Sequence, residues 1–130
     1  MTHTPYLVVN ADDFGITEGT NRAILDAHKT GIVTSTSLLA NGQSFDHAVG
    51  IALDNPTLGV GVHLTLSEGR PIDEMARMVV FVPGVQAGHF PLGNRPYIKA
   101  LLMRKLPRKN IMREFKSQIL KITRTGIKPT

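Results

Sequence analysis

The sequence predicts an α/β protein built on parallel strands, and its first half carries the observations that support this. Three short apolar runs, at residues 6–11, 33–39 and 58–66, have the length and composition of strands buried on both faces. Two segments with helical periodicity separate these runs. The order strand, helix, strand, helix, strand is typical of a parallel sheet with right-handed crossover connections. Residues 6–66 are therefore expected to form a βαβαβ core.

Start and stop signals define the two helices of this core. Thr17 can cap a helix that begins at Glu18, where a carboxylate interacts favourably with the helix dipole. Gly31 is a suitable end for this helix. Ser44 opens the second, shorter helix, which ends before Pro56 because proline disfavours helical backbone in the residue that precedes it.

The second half of the chain is less regular. Residues 67–96 are rich in Gly and Pro, which favours a long excursion over one end of the sheet, with one short β segment at residues 78–82. A helix is predicted from Tyr97 to Leu106, and Asn110 can cap a final helix that Gly126 ends. Residues 127–130 resemble the approach to another strand. The 130 residues are expected to form a single domain or a fragment of one.

Composition limits the classes of function. The chain has no cysteine, so disulfides and thiolate metal sites are excluded. We expect a cytoplasmic protein without a membrane partner, because no apolar run approaches bilayer length and no signal peptide is recognisable. The net charge of +5 reflects basic residues in the last third. We interpret them as a solvated helix face, and nucleic-acid binding is not expected because few aromatic side chains could stack on bases.

The third strand carries the first indication of a site. Bulky residues from Leu58 to Leu66 alternate with Gly59, Gly61 and His63, so the histidine shares a face with glycines. His63 also lies towards the carboxyl end of its strand, where α/β folds bind ligands. A structural histidine whose ring hydrogen-bonds to Thr65 is the alternative.

The stretch NADDFG, at residues 10–15, places two carboxylates where the first apolar strand ends. Because parallel strands end at one edge, Asp12 and Asp13 are expected to lie near His63. One carboxylate and one histidine are suitable ligands for a divalent cation, and the other carboxylate could accept a proton from metal-bound water. A simple turn before Gly15 explains the pair equally well.

Other polar residues are weaker candidates. Asn10 and Asn41 each lie at a strand end and could offer their amides to a substrate, although capping of loop backbone is the simpler interpretation. His28 and His47 are predicted to be surface residues on helices, and His89 lies in the Gly/Pro-rich excursion.

Several motifs together resemble the YdjC-like carbohydrate deacetylase family, which includes chitooligosaccharide and hopanoid-biosynthesis deacetylases. The resemblance runs through residues 6–71 in the stretches NADDFGIT, TEGTNRAILDAHKTGIVTSTSLLAN and NPTLGVGVHLTLSEGRP. The tail LKITRTGIKPT also resembles the segment that precedes the next strand in the family. Residues 72–108 correspond to a region that varies.

The resemblance implies the N-terminal portion of an irregular, TIM-like (β/α) barrel that is incomplete in this chain. It implies metal-dependent removal of N-acetyl groups from an amino sugar or oligosaccharide. Asp13 and His63 match the metal-binding residues of the family, and Asp12 matches the general base. The implied cofactor is one divalent metal ion, Mg²⁺ or Zn²⁺.

One departure from the family pattern is large. Family members continue into a D-x-H-x-H segment that supplies a further metal-binding histidine, and this sequence stops at Thr130. We therefore expect low activity from this chain alone, and self-association, with strand exchange as one route, to cover open sheet edges. A non-catalytic sugar-binding or assembly module is the alternative function.

Overall fold

The computed structural model describes residues 5–67, 69–74 and 88–130. Within these residues the chain forms a three-stranded parallel sheet with the strand order β1-β2-β3. The strands are β1 (Asn10–Phe14), β2 (Ser35–Leu38) and β3 (Gly59–Val62), and the helices described are α1 (Glu18–Lys29), α2 (Phe45–Asp54), α3 (Arg95–Leu102) and α4 (Arg108–Thr123). The predicted parallel α/β core is confirmed. Closure into a TIM-like barrel stays a prediction.

The sheet and its helices enclose one main apolar core. Phe14 and Leu38 from the strands are fully buried, as is Ile122 from α4. Ile24 of α1, Phe45 of α2 and further apolar residues of α2, of β3 and of the connecting segments complete the cluster. The last helix therefore packs against the sheet at β3 and belongs to the same core as the βαβαβ unit.

The first strand differs from its prediction in position. It begins at Asn10, and Tyr6, Leu7 and Val8 are 93%, 80% and 69% exposed. β1 lies at an edge of the described sheet, so the apolar residues that precede it have no neighbouring strand there to cover them. Their hydrophobicity alone predicted burial, and that expectation is wrong for the described part of the chain.

The helix ends agree with the sequence signals in some places only. The Thr17 hydroxyl accepts a hydrogen bond from the Thr20 amide at 3.1 Å, which confirms the predicted cap of α1. Ser44 occupies the N-cap position of α2 but makes no side-chain cap bond. The last helix begins at Arg108 with Pro107 at its N-cap, so the cap predicted for Asn110 is wrong.

The chain returns to the sheet after α4. The Thr130 amide donates to the Val60 carbonyl at 3.1 Å, so residues near the end of the sequence run beside β3. This agrees with the expected approach of another strand. The predicted β segment at residues 78–82 lies outside the described residues. None of the described helices has the length and apolar character needed to cross a membrane.

Asn21 joins the two loops that follow β1 and β2. Its side chain is fully buried, and its Oδ1 atom accepts from the Gly15 amide at 2.7 Å. Its Nδ2 atom donates to the Ser44 carbonyl at 3.1 Å and to His47 Nδ1 at 3.0 Å. A direct backbone bond from Ser44 N to Gly15 O, at 2.9 Å, completes the link. The two loops thus form one hydrogen-bonded unit at the carboxyl ends of the strands.

We predict that Asn21→Ala lowers the free energy of unfolding by about 1–3 kcal/mol, because the buried Gly15 amide and Ser44 carbonyl each lose a partner. Urea denaturation measured by circular dichroism tests this. Arg22→Ala on the same helix is the matched control. It removes an exposed ion pair with Glu18, and we expect a change below about 1 kcal/mol. Equal effects of the two substitutions would contradict the role given to Asn21.

Candidate active site

The adjacent carboxylates of Asp12 and Asp13 lie in a bulge of β1. Asn10 and Ala11 pair with Ser35 and Thr36, but Phe14 pairs with Leu38, so β1 contains one residue more than β2 over this interval. Neighbouring side chains in a regular strand point to opposite faces of the sheet. An extra residue removes this constraint locally, as bulges do beside many active sites. With the bulge, Asp12 contacts Ser37 of β2 while Asp13 lies near His63, the residue that follows β3.

Asp13 adopts the left-handed backbone conformation, with φ of 66°. Aspartate is one of the few residues besides glycine that adopt this region at modest cost. Gly15 follows with φ of 96°, and a Cβ atom there would lie 3.1 Å from Leu38 Cδ1 and 3.2 Å from the Leu39 carbonyl oxygen. The turn that ends NADDFG thus needs residues that tolerate a positive φ, as Asp13 and Gly15 do. The stretch can form a turn and a site at once, so the two interpretations do not exclude each other.

The Asp12 carboxylate is held by two side chains. Its Oδ1 atom accepts from Asn10 Nδ2 at 2.8 Å and from Ser37 Oγ at 2.7 Å. Asn10 is itself oriented by Ser35, whose hydroxyl donates to Asn10 Oδ1 at 2.9 Å. No hydrogen bond from the described part of the chain reaches Asp12 Oδ2. The carboxylate is therefore oriented through one oxygen, and the other oxygen is available to a ligand or a proton.

His63 faces Asp13 across the edge of the sheet. The His63 amide donates to the Leu38 carbonyl at 2.9 Å, which extends the β2–β3 pairing by one residue and fixes the position of His63. The Nδ1 atom of its ring lies 3.5 Å from Asp13 Oδ1, 3.4 Å from the Asp13 amide nitrogen and 3.3 Å from Ser37 Oγ. Because the Asp13 amide can only donate, its bond to Nδ1 requires the ring tautomer with the proton on Nε2.

This arrangement fits two ligands of a divalent cation. An imidazole nitrogen and a carboxylate oxygen are both electron-pair donors, and a cation between them would take the Nδ1 lone pair that here accepts the Asp13 amide. Ligands about 2.1 Å from a tetrahedral ion lie roughly 3.4 Å apart, close to the distance between Asp13 Oδ1 and His63 Nδ1. Within residues 5–67, 69–74 and 88–130, no group of three or more His, Cys, Asp or Glu side chains could hold a metal ion. Metal binding by Asp13 and His63 therefore stays a prediction, and it would need ligands beyond this pair.

A cavity of about 390 Å³ opens beside the Asp13–His63 pair. Asn41, Thr65 and Ser67 line it together with loop residues that follow β1 and β2. This volume lies within the usual range for small-molecule sites. A second cavity, of about 590 Å³, lies between α4 and residues 72–74. The first cavity is the candidate active site, because it alone of the two is lined by the predicted metal-binding residues.

The predicted substrate-binding residues occupy different positions. Asn41 lines the cavity, and its Nδ2 atom lies 3.5 Å from the Arg70 carbonyl oxygen. Asn10 is not among the residues that line it and instead hydrogen-bonds to Asp12. Contact of either residue with a substrate stays a prediction.

Two histidines expected at the surface are partly buried. His28 Nδ1 donates to the Val33 carbonyl at 2.8 Å and its Nε2 accepts from Thr57 at 2.9 Å, and His47 bonds to Asn21. His28 thus joins α1 to the segments before β2 and β3, and His47 joins α2 to α1, which their spacing on the helices did not indicate. His89 is not among the residues lining the candidate active site.

Sequence inspection missed Ser37, which contacts both Asp12 and His63. A signal for it exists in the alternation of β2, where Ser35 and Ser37 share the face opposite to the buried Thr36 and Leu38. Small hydroxyl residues on one face of a central strand leave space for side chains from both neighbouring strands.

The fold and the site define a class of α/β proteins with a carboxylate and histidine site at the carboxyl ends of parallel strands. The family model described as YdjC-like protein matches residues 6–130. The chain belongs to the YdjC-like family.

Relatives with names that describe a function are similar to this chain over different lengths. A carbohydrate deacetylase from Brevibacillus brevis is 40% identical over 126 residues, which are 95% of this chain and 46% of that protein. A chitooligosaccharide deacetylase from Salmonella paratyphi B is 49% identical over 69 residues, which are 53% of this chain and 27% of that protein. The chain thus spans less than half of the length of these relatives.

A solved structure shows the same backbone arrangement. It is the crystal structure of an Enterococcus faecalis protein described as a candidate cellobiose-phosphate cleavage protein, and its sequence is 34% identical to this chain. The TM-score is 0.74, and the match covers 94% of this chain and 45% of that chain.

Proposed function

We propose that the protein takes part in metal-dependent removal of N-acetyl groups from an amino sugar or its oligosaccharides. The observation that carries this proposal is the bulge of β1, at which Asp13 lies near His63 on the cavity lining while the neighbouring Asp12 hydrogen-bonds to Ser37. The names of the deacetylase relatives support the same reaction class. The reaction would break the amide C–N bond by addition of water, and release acetate and a free amine.

Asp13 and His63 would hold the divalent ion, which would polarise the substrate carbonyl and lower the pKa of bound water. Asp12 would accept the proton of the attacking water on its Oδ2 atom, which receives no hydrogen bond from the described residues. Asn10 and Ser37 would orient this carboxylate by donating to Oδ1. The two neighbouring carboxylates thus would have separate tasks.

The size and the polar lining of the cavity favour a small polar substrate such as a sugar ring. Its volume of about 390 Å³ and the polar groups of Asn41, Thr65 and Ser67 suit a ligand with several hydroxyl groups. Asn41 would donate an amide proton to the sugar or to its acetyl group. Asn10 would have to break its hydrogen bond to Asp12 before its amide nitrogen could donate to the substrate.

The metal site needs ligands beyond the described pair. The D-x-H-x-H pattern of the family is the proposed source of a further histidine, and Zn²⁺ and Mg²⁺ are the candidate ions. Weak turnover is expected of the 130-residue chain because two side-chain ligands hold a divalent ion less firmly than three. If the chain binds sugar but shows no turnover, the alternative function applies, a sugar-binding module without catalysis.

We predict that this chain binds a divalent ion through Asp13 and His63, with Zn²⁺ and, as a probe of the Mg²⁺ alternative, Mn²⁺ as the ions titrated. Asp13→Asn keeps a residue that tolerates the left-handed backbone but removes the charge, and we expect it to weaken metal binding at least tenfold in titration calorimetry. His63→Ala should have a similar effect, whereas His89→Ala, a histidine away from the cavity, should not. Equal metal affinity in the His63→Ala and His89→Ala variants would contradict the assignment.

We predict that Asp12→Asn lowers the rate of acetate release from N-acetylglucosamine oligomers by about 10²–10⁴-fold, because the amide cannot accept the proton. The metal affinity of this variant should stay within a few-fold of the parent, since Asp12 is not a proposed ligand. Ser37→Ala, which leaves the carboxylate in place but removes one orienting bond, should reduce the rate less. An enzyme-coupled acetate assay measures all three proteins. If the Asp12→Asn variant released acetate at the rate of the parent protein, Asp12 could not be the general base.

We also propose that the chain associates with itself through the edge of β1, which no other described strand covers. Tyr6, Leu7 and Val8 expose apolar side chains beside the edge strand β1, where an added strand would cover them. Light scattering coupled to size-exclusion chromatography should give at least a dimer at micromolar concentration. Leu7→Lys should shift the protein towards the monomer, and Leu53→Lys, an exposed leucine on α2, should not. A monomeric parent chain would refute self-association.

A further inference from the structure

The segment that follows β3 forms one wall of the candidate active site. β3 ends at Val62, and His63 makes the last backbone bond to β2. Thr65 and Ser67 then line the cavity. Beyond His63 the segment therefore needs other partners for its backbone polar groups.

Gln118 of α4 supplies these partners for Thr65. The Gln118 side chain is fully buried, its Oε1 accepts from the Thr65 amide at 3.0 Å and its Nε2 donates to the Thr65 carbonyl at 2.7 Å. One side-chain amide thus bonds to both backbone groups of one residue, as a neighbouring strand would. This two-point contact fixes Thr65 in position and orientation, two residues from His63.

Glu114 holds the Gln118 amide in a single orientation. Its carboxylate is fully buried and accepts from Gln118 Nε2 at 2.9 Å. A carboxylate can only accept, so the Gln118 nitrogen must face it and the Gln118 oxygen must face the Thr65 amide. A flipped amide would place an oxygen against the carboxylate and a nitrogen against the amide proton of Thr65.

The same carboxylate also binds the chain beyond the cavity wall, at two residues that line the second cavity. Its oxygens accept from the Ile72 amide at 2.9 and 3.0 Å and from the Asp73 amide at 2.9 Å. Between these tethers, the Tyr97 hydroxyl donates to the Leu66 carbonyl at 2.6 Å. Burial, together with the nearby charge of Glu114, raises the pKa of the Tyr97 phenol above its ordinary value, so the phenol remains a donor at neutral pH. Thr65 on one side and Ile72 and Asp73 on the other are thus tied to adjacent turns of α4.

Glu114 and Gln118 are not needed to pack α4 against the apolar core. Ile122, one turn further along α4, is fully buried and already anchors the helix in the apolar core. Burial of a carboxylate and an amide costs free energy unless their hydrogen bonds are complete, as they are here. Gln118 and Glu114 supply the hydrogen-bond partners that the backbone groups of Thr65, Ile72 and Asp73 need.

We infer that Gln118, oriented by Glu114, is a positioning residue that sets the place of His63 relative to Asp13. It acts through Thr65 and touches neither the substrate nor the metal. The inference rests on the proposed metal-binding role of Asp13 and His63, and assigns part of the geometry of that site to a helix on the other side of the cavity wall.

The test compares Gln118→Met with Ile122→Val in the same helix. Methionine has a similar length and no hydrogen-bonding amide, so it frees the Thr65 backbone. Valine at position 122 removes a core methyl group, which makes no hydrogen bond to Thr65. We expect Gln118→Met to weaken Zn²⁺ or Mn²⁺ binding about tenfold in calorimetry, the range observed for groups that orient metal ligands. Ile122→Val should lower stability in urea but leave metal affinity at the parent value. Parent affinity in a folded Gln118→Met protein would overturn the inference.

Measurements without metal separate this inference from the proposed function. At fixed pH, Gln118→Met should shift the ¹⁵N resonances of the His63 ring and speed hydrogen exchange of the Thr65 amide, and Ile122→Val should leave the ring resonances in place. If the parent chain binds no metal, the proposed function loses its metal site, and the NMR comparison still decides the positioning role. Unchanged His63 resonances in Gln118→Met would then refute it.

Glu114→Gln is a milder second variant should Gln118→Met fail to fold. It keeps the shape and one acceptor of the side chain but allows the Gln118 amide to flip. We expect a smaller change in the same direction, both in metal affinity and in the His63 resonances. If neither measurement changes, Glu114 does not orient the Gln118 amide as proposed.

Discussion

The single extra residue in β1 is the constraint on which the site depends. Parallel pairing brings the carboxyl ends of β1, β2 and β3 to one edge, and the bulge then presents Asp12 and Asp13 there together. A regular strand would send their side chains to opposite faces of the sheet. The left-handed backbone of Asp13 is the local cost of this arrangement, and it is modest because the residue is an aspartate.

Buried polar side chains hold the loops around this edge. Asn21 links the loops after β1 and β2, while Gln118 and Glu114 hold the segment after β3. Loops cannot satisfy their backbone groups by regular pairing, so each buried loop needs a partner of this kind. Apolar packing by residues such as Phe14 and Ile122 provides the support beneath them. The core and the polar tethers thus have different tasks in one unit.

Local signals were sufficient for the order and type of the first elements. The cap at Thr17, the alternation in β3 and the apolar runs predicted the parallel core, because these patterns depend on residues close together in sequence. The burial of Tyr6, Leu7 and Val8 was predicted wrongly, since it depends on whether a strand lies beside them. The start of α4 was misplaced because Pro107 can precede a helix as readily as Asn110 can cap one.

The sequence by itself determined the residues with the right chemistry: two adjacent carboxylates, a histidine on a glycine-lined face, and motifs similar to those of the family. Only the tertiary structure decided how they meet. The bulge, the contacts of Ser37 with Asp12 and His63, and the bonds from Gln118 to Thr65 join residues that are distant in sequence. Pairing register and helix packing produce such contacts, and no local pattern records which strand or helix will lie opposite a given side chain.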